Sequence, residues 1–154
     1  MKNKFKIFLI LISFCLFNSA YSANEFNFDV TEIEILENGN IFKGKKRGTV
    51  TTNDGIILKA NEFEYNKNLN TLNAKGNVEI IDKINNFFLS SNQIIYNKNK
   101  ELIISTGDSK ALSSNNDIVI TAEIFEYELI QNKITAKNNV VVTDKVSNNS
   151  LYSN

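Results

Sequence analysis

"ANEFEYNKNLNTLNAKGNVEI" occupies residues 60–80, and "AEIFEYELIQNKITAKNNVVV" occupies residues 122–142. Laid over one another without gaps, with Ala60 on Ala122, the two share nine of 21 positions. Asn and Lys are abundant throughout, so their matches carry little weight; the Phe, Tyr, Glu, Val and two Ala matches carry the repeat. Half the offset is also a repeat, because "SNQIIYNKNKELIISTGDSKA", residues 91–111, lies midway between the two copies. Tyr65, Tyr96 and Tyr127 thereby share one column, and Gly76, Gly107 and Asn138 another. Three units of one fixed period point to a stacked architecture in which no unit buries its apolar face alone.

Alternation decides between strand and helix. Phe63 and Tyr65 face one way while Glu62 and Glu64 face the other, a period of two that suits a half-buried strand. Asn66-Lys67-Asn68 then breaks the chain. Beyond it Leu72, Ala74, Gly76, Val78 and Ile80 keep one parity, which predicts two short strands or one bent strand with Gly76 at the bend. The third unit repeats the pattern with Phe125 and Tyr127, a turn, then Ile134, Ala136, Asn138, Val140 and Val142. Gly, Gly and Asn in one column fit a bulge or corner, since these residues best tolerate positive φ. Asn38-Gly39 and Asp54-Gly55 are pairs favoured in tight hairpin turns. The chain beyond its first residues reads as all-β.

The first 22 residues read differently. Three lysines precede a short apolar run from Ile7 to Phe17, and small residues come after it, the layout of a secretory signal with cleavage expected after Ala20-Tyr21-Ser22. The run is too short for a spanning helix, which needs roughly 20 apolar residues. The single cysteine, Cys15, lies inside this segment and lacks the residues that precede a lipidated cysteine. Residues 23–154 suit one β-domain with a modest core. The whole chain carries 17 basic and 17 acidic residues, and loss of Lys2, Lys4 and Lys6 leaves it slightly acidic. The one compact basic run, Lys45-Lys46-Arg47, reads as a solvated turn or as a contact for a phosphate-bearing partner, and nucleic-acid binding is not indicated.

Nothing in the pattern suggests catalysis. The chain has no histidine, no glycine-rich phosphate loop and no carboxylates at calcium-loop spacing. Glu62, Glu64, Glu123 and Glu126 alternate with apolar neighbours and are expected in water. No enzyme activity, metal or cofactor is expected.

A small residue, then an apolar residue and Tyr, a polar turn, Leu or Ile, Ala, and Gly-Asn-Val with alternating apolar residues resembles the OstA-like repeat of lipopolysaccharide transport. "ANEFEYNKNLNTLNAKGNVEIID" is close to its consensus, and "AEIFEYELIQNKITAKNNVVVTD" is looser, with Asn138 in place of the glycine. The resemblance spans about Gly48 to Asp144. It implies an open, twisted β-jelly roll, here of stacked repeats each as long as the step from Tyr65 to Tyr96, whose interior shields the acyl chains of lipopolysaccharide. The groove residues expected from it are Phe63, Tyr65, Leu72, Ala74, Val78, Ile80, Ile94, Tyr96, Ile103, Phe125, Tyr127, Ile134, Val140 and Val142. The same residues could instead fill an ordinary core, with the small column Ala74, Ser105 and Ala136 either leaving room for a lipid chain or making a tight corner. The resemblance also implies a periplasmic location, or the periplasmic face of the outer membrane, with only indirect membrane contact. Implied partners are other OstA-like domains of LptA, LptC or LptD type, paired through exposed strand edges, with Val140 to Thr143 expected near the C-terminal edge. An LptA-like bridge and an N-terminal part or short relative of LptD both fit, the latter slightly better. A ligand-free, self-stacking β-structural or adhesin segment is the alternative from another class.

Overall fold

The computed structural model describes residues 25–112 and 117–153; the signal segment and Cys15 lie outside the described residues. Among the described residues, thirteen strands form one antiparallel sheet. In chain order they are β1 (Phe26–Asp29), β2 (Glu32–Leu36), β3 (Ile41–Lys45), β4 (Gly48–Thr52), β5 (Ile56–Ala60), β6 (Glu62–Asn66), β7 (Thr71–Asp82), β8 (Phe87–Asn97), β9 (Leu102–Leu112), β10 (Ile118–Glu128), β11 (Lys133–Lys137), β12 (Val140–Asp144) and β13 (Asn149–Ser153).

The topology is simpler than the count suggests. Strands β7 to β10 are long, and each pairs with its sequence neighbour along its length. The first half of β7 pairs with β6 and its second half with β5. Likewise β10 pairs with β11 at one end and β12 at the other. The sheet is therefore a meander of bent strands, and the bend divides it into two layers. One layer holds β2, β3, β6, one half of each long strand, and β11; the other holds β1, β4, β5, the remaining halves, β12 and β13.

The bend lies where the repeat has Gly, Gly and Asn. Gly76 and Asn77 have φ of 74° and 49°, Gly107 and Asp108 have 78° and 48°, and Asn138 and Asn139 have 63° and 52°. Two successive left-handed residues interrupt the pleat, and strand register shifts between Lys75 and Val78. A side chain at Gly76 would also collide with Asn61, whose Nδ2 lies 2.8 Å from where a Cβ would stand. In the third unit the counterpart of Asn61 is Glu123, and its carboxylate is held by Asn139 Nδ2 at 2.6 Å.

The opposite ends of the bent strands carry turns, and these also keep the period. Asn70, Glu101 and Asn132 all have positive φ, and each receives the hydroxyl of the tyrosine one turn earlier: Tyr65 to Asn70 at 3.0 Å, Tyr96 to Glu101 at 2.9 Å and Tyr127 to Asn132 at 3.2 Å. The turns are tied into a row, because Lys67 N donates to Asn40 O, Lys98 N to Asn70 O and Leu129 N to Glu101 O. Asn40 belongs to this row, and "EIEI" at 32–35 pairs into the sheet as "EFEY" at 62–65 does, so a further unit precedes the three read from sequence. The step from Asn40 to Asn70 is one residue shorter than that from Asn70 to Glu101, and Ile33 and Ile35 stand where the later units have an aromatic or isoleucine and then tyrosine.

One expectation needs correcting. Val140 to Thr143 do not form the C-terminal edge: Asp144 accepts from Val146 N and Ser147 N, closing a hairpin that lays β13 against β12. Among the described residues the edges at that end are β13 in one layer and β11 in the other. Lys45-Lys46-Arg47 is exposed, as expected of a solvated turn; it spans the bend from β3 to β4, where Lys45 pairs with Glu34, Lys46 with Glu32 and Arg47 with Glu79 at the surface.

Candidate functional site

The residues expected to line a groove share the inner faces of the two layers. Nearest the bend, Phe63, Ala74, Ile94, Ser105, Phe125 and Ala136 stand side by side in one cross-strand ladder. One step toward the turns, Tyr65, Leu72, Tyr96, Ile103, Tyr127 and Ile134 form a second. The facing layer contributes Val50, Leu58, Ile80, Leu89, Ala111, Ile120 and Val142 as a third. Val78 and Val140 lie close to the bend in that layer.

Near the bend small residues stand among large ones: Ala74, Ser105, Ser109 and Ala122 are buried beside Phe63, Ile94 and Phe125, and the Ser105 and Ser109 hydroxyls bond to each other at 3.0 Å. Ala136, the third residue of the small column, is half-buried. Toward the turns aromatic rings of the two layers meet. Phe26 meets Tyr65 and Tyr96 with ring centroids at 4.8 and 5.5 Å, and Phe87 meets Tyr127 at 4.8 Å. Phe63, Leu72, Ala74, Val78, Ile80, Ile94, Tyr96, Ile103, Phe125 and Tyr127 are all closed over. Tyr65, Val140 and Val142 are half-buried, and Ile134 is 36% exposed. The carboxylates expected in water behave so: Glu62, Glu64 and Glu123 are exposed, and Glu126 pairs at the surface with Lys137 at 2.6 Å.

Where the two rows of turns approach each other, opposite the bend, lie polar contacts that the repeat did not flag: Asn70 Nδ2 donates to Glu25 at 2.6 Å, and two larger clusters follow. In the first, Lys98 Nζ donates to Asp54 at 2.8 Å and to Glu101 at 2.6 Å, with the Tyr96 hydroxyl on Glu101. In the second, the Tyr127 hydroxyl donates to buried Asp82 at 2.6 Å, while Asn85 bonds both. Burial by itself would raise the Asp82 carboxyl, but hydrogen bonds from Tyr127, from Asn85 and from the backbone N–H groups of Asn85 and Ile84 outweigh it and hold it below the usual carboxylate range. Burial pushes the Tyr127 hydroxyl up, as does its bond to Asp82. At the first cluster burial would also raise Asp54, yet Lys98 and Thr52 lower it on balance. Burial would lower Lys98, but Asp54 and Glu101 reverse that. Asp54, Asp82 and Lys98 thus keep their charged forms at neutral pH.

The inner ladders continue, exposed, at both ends of the stack. Ile33 and Ile35 on β2 are 50% and 58% exposed, and Leu151 on β13, which extends the third ladder beyond Val142, is 73% exposed. Among the described residues no group of His, Cys, Asp and Glu is arranged to hold a metal ion.

No family model matches the chain, and no curated protein matches it. The fold is similar to a solved structure, that of LptH from Pseudomonas aeruginosa, described as the LptA-homologous periplasmic component of the conserved lipopolysaccharide transport device. The TM-score is 0.65 at 12% sequence identity, over 73% of this chain and 82% of that one. That likeness extends to the open, antiparallel β-jelly roll.

Proposed function

We propose that this chain is a carrier module of lipopolysaccharide transport that shields acyl chains between its two layers, with no catalytic step and no cofactor. The observation that carries the reading is the run of mainly apolar inner ladders, which among the described residues reach exposed Ile33 and Ile35 on one side and Leu151 on the other. An ordinary closed core has no reason to present its inner face at both ends. A module that adds to a longer groove does, because the next domain continues each ladder. The partners are then domains of the same fold, of LptA, LptC or LptD type, meeting β2 or β1 at one end and β11 or β13 at the other. The place of work is the periplasm or the periplasmic face of the outer membrane. The role is shared by a bridge component and by the N-terminal domain of an outer-membrane translocon subunit; pull-down with each type of partner separates these.

One observation favours a second reading, a ligand-free self-stacking segment: the middle of the interior is filled by its own side chains. Mass spectrometry of lipid that co-purifies with the protein from a lipopolysaccharide-producing host decides between them. A carrier retains lipid A-containing species in stoichiometric amount, and a self-stacking segment retains none.

A further inference from the structure

In a carrier whose interior is packed with its own side chains, the lipid chain needs a way in. Entry at the bend would break backbone ladders, since β7 to β10 run through it and are paired on both sides. Threading from an end would force a path through packed residues such as Leu72, Ile103 and Phe125, each fully buried. The remaining boundary is the seam between the two rows of turns. There, among the described residues, no strand of one layer pairs with a strand of the other. The layers are held by side chains, and the contacts recur by unit: Asp54 with Lys98, then Asp82 and Asn85 with Tyr127. Residues joined in this way lie 42 to 45 positions apart, so the β4–β5 and β7–β8 turns are each fastened to a residue of the facing layer. Parting the layers releases these polar contacts to water and uncovers apolar side chains of the core both layers share, such as Leu58, Leu89 and Tyr96, which an entering acyl chain covers again, while both faces stay intact as sheets.

We propose that the two layers part along this seam, unit by unit, and that the Asp54–Lys98 and Asp82–Tyr127 contacts are clasps that release to let an acyl chain enter sideways. This rests on the carrier reading for its occupant but not for its mechanics. It explains why the tyrosine column keeps a hydroxyl on an otherwise apolar ladder. Tyr96 and Tyr127 bury their rings between the layers and set a polar tip at the seam.

The test is to lock and to loosen the seam. On a Cys15→Ser background, Asp54→Cys combined with Lys98→Cys is joined by a short bismaleimide, and uptake of fluorescently labelled lipopolysaccharide is measured with and without the link. The linked protein is expected to load at least about tenfold more slowly than the unlinked one, because the covalent tie holds shut what a reversible polar contact would release. Equal loading of the two would mean entry by an end and would overturn the proposal. In parallel, Lys98→Met and Asp82→Asn are assayed with the amphiphilic dye 1-anilinonaphthalene-8-sulfonate, which fluoresces on apolar surface, with the β-sheet circular dichroism checked as unchanged. Dye uptake is expected to rise several-fold over the unaltered protein, and no rise in either variant counts against the seam. Dye that enters only loosened variants while no form takes up lipopolysaccharide would leave the seam standing and remove the carrier reading.

Discussion

Ile103 and Ile134 occupy the same column of the repeat and the same inner ladder, yet one is fully buried and the other 36% exposed. The difference lies in what faces them. Ile103 is on β9, mid-stack, with the facing layer folded over it; Ile134 is on β11, the edge of its layer. In the middle the turns of one layer are fastened to those of the other through Lys98 and Tyr127, whereas β11 has left that stretch behind. Similar local sequence gives core in one place and open surface in another, so burial in this fold is a property of position in the stack. A terminal unit lacks the neighbour that would complete it, as in any linear repeat.

Charge insertion breaks this contrast most forcefully. Phe125→Asp places a carboxylate at a position with no exposure, and it is expected to cost several kcal/mol and to abolish cooperative unfolding in urea. Ile134→Asp, on the exposed unit, should stay within about 1 kcal/mol of the unaltered protein. Comparable losses at both sites would mean that the terminal unit is covered in solution.

The tyrosine column offers a finer comparison. Tyr127→Phe leaves buried Asp82 without its 2.6 Å partner, for an expected loss of about 1–3 kcal/mol in the same titration. Tyr65→Phe removes only a bond to the Asn70 amide at a half-buried site and should cost about 0.5–1.5 kcal/mol. The Asp82 contribution also depends on pH. Its carboxyl is depressed in the folded chain, so the stabilisation is complete above the unfolded carboxylate pKa of about 4 and is lost as pH falls through the lower folded value. Thermal melts from pH 7 to pH 2 should drop more steeply for the unaltered protein than for Asp82→Asn below about pH 4. Parallel curves would mean that Asp82 carries no linkage.

The bend offers a third comparison, and it includes the smallest effect. Gly107→Ala must hold φ at 78° with its new Cβ 3.1 Å from Asn92, at an expected cost of about 1–2 kcal/mol. Asn138→Gly, at φ 63° where the partner residue is Glu123, should change stability by no more than about 0.5 kcal/mol. Equal penalties would remove the Asn61 and Asn92 contacts as the reason for glycine.

Much of this was legible from parity and period. Alternation around Phe63 and Tyr65 gave the inner face, the Gly76 column gave the bend, and Asn38-Gly39 and Asp54-Gly55 gave turns, with Gly39 and Gly55 at φ of 91° and 89°. The N-terminal unit escaped because isoleucines replace Phe63 and Tyr65 and its offset is one residue shorter. Strand β13 escaped because Ser, Leu and Tyr among asparagines look like tail, and only pairing with β12 makes them a strand. The seam contacts of Asp54, Asp82 and Lys98 were not legible at all. Their partners come from the opposite layer, and no in-strand spacing encodes a contact made by folding the sheet onto itself. Asp54 was visible as a turn residue, and Tyr127 as an apolar ladder residue, but the polar tip of that tyrosine was the available clue.

Phe125 and Glu126 are neighbours on β10 that face opposite ways, one closed between the layers and the other at the surface beside Lys137. A benzoylphenylalanine placed at each position in turn, then irradiated in cells making lipopolysaccharide, compares the two faces one residue apart. An acyl-carrying interior predicts a lipopolysaccharide adduct at 125 and none at 126. Adducts of equal yield at both positions, or an adduct at 126 alone, would contradict it.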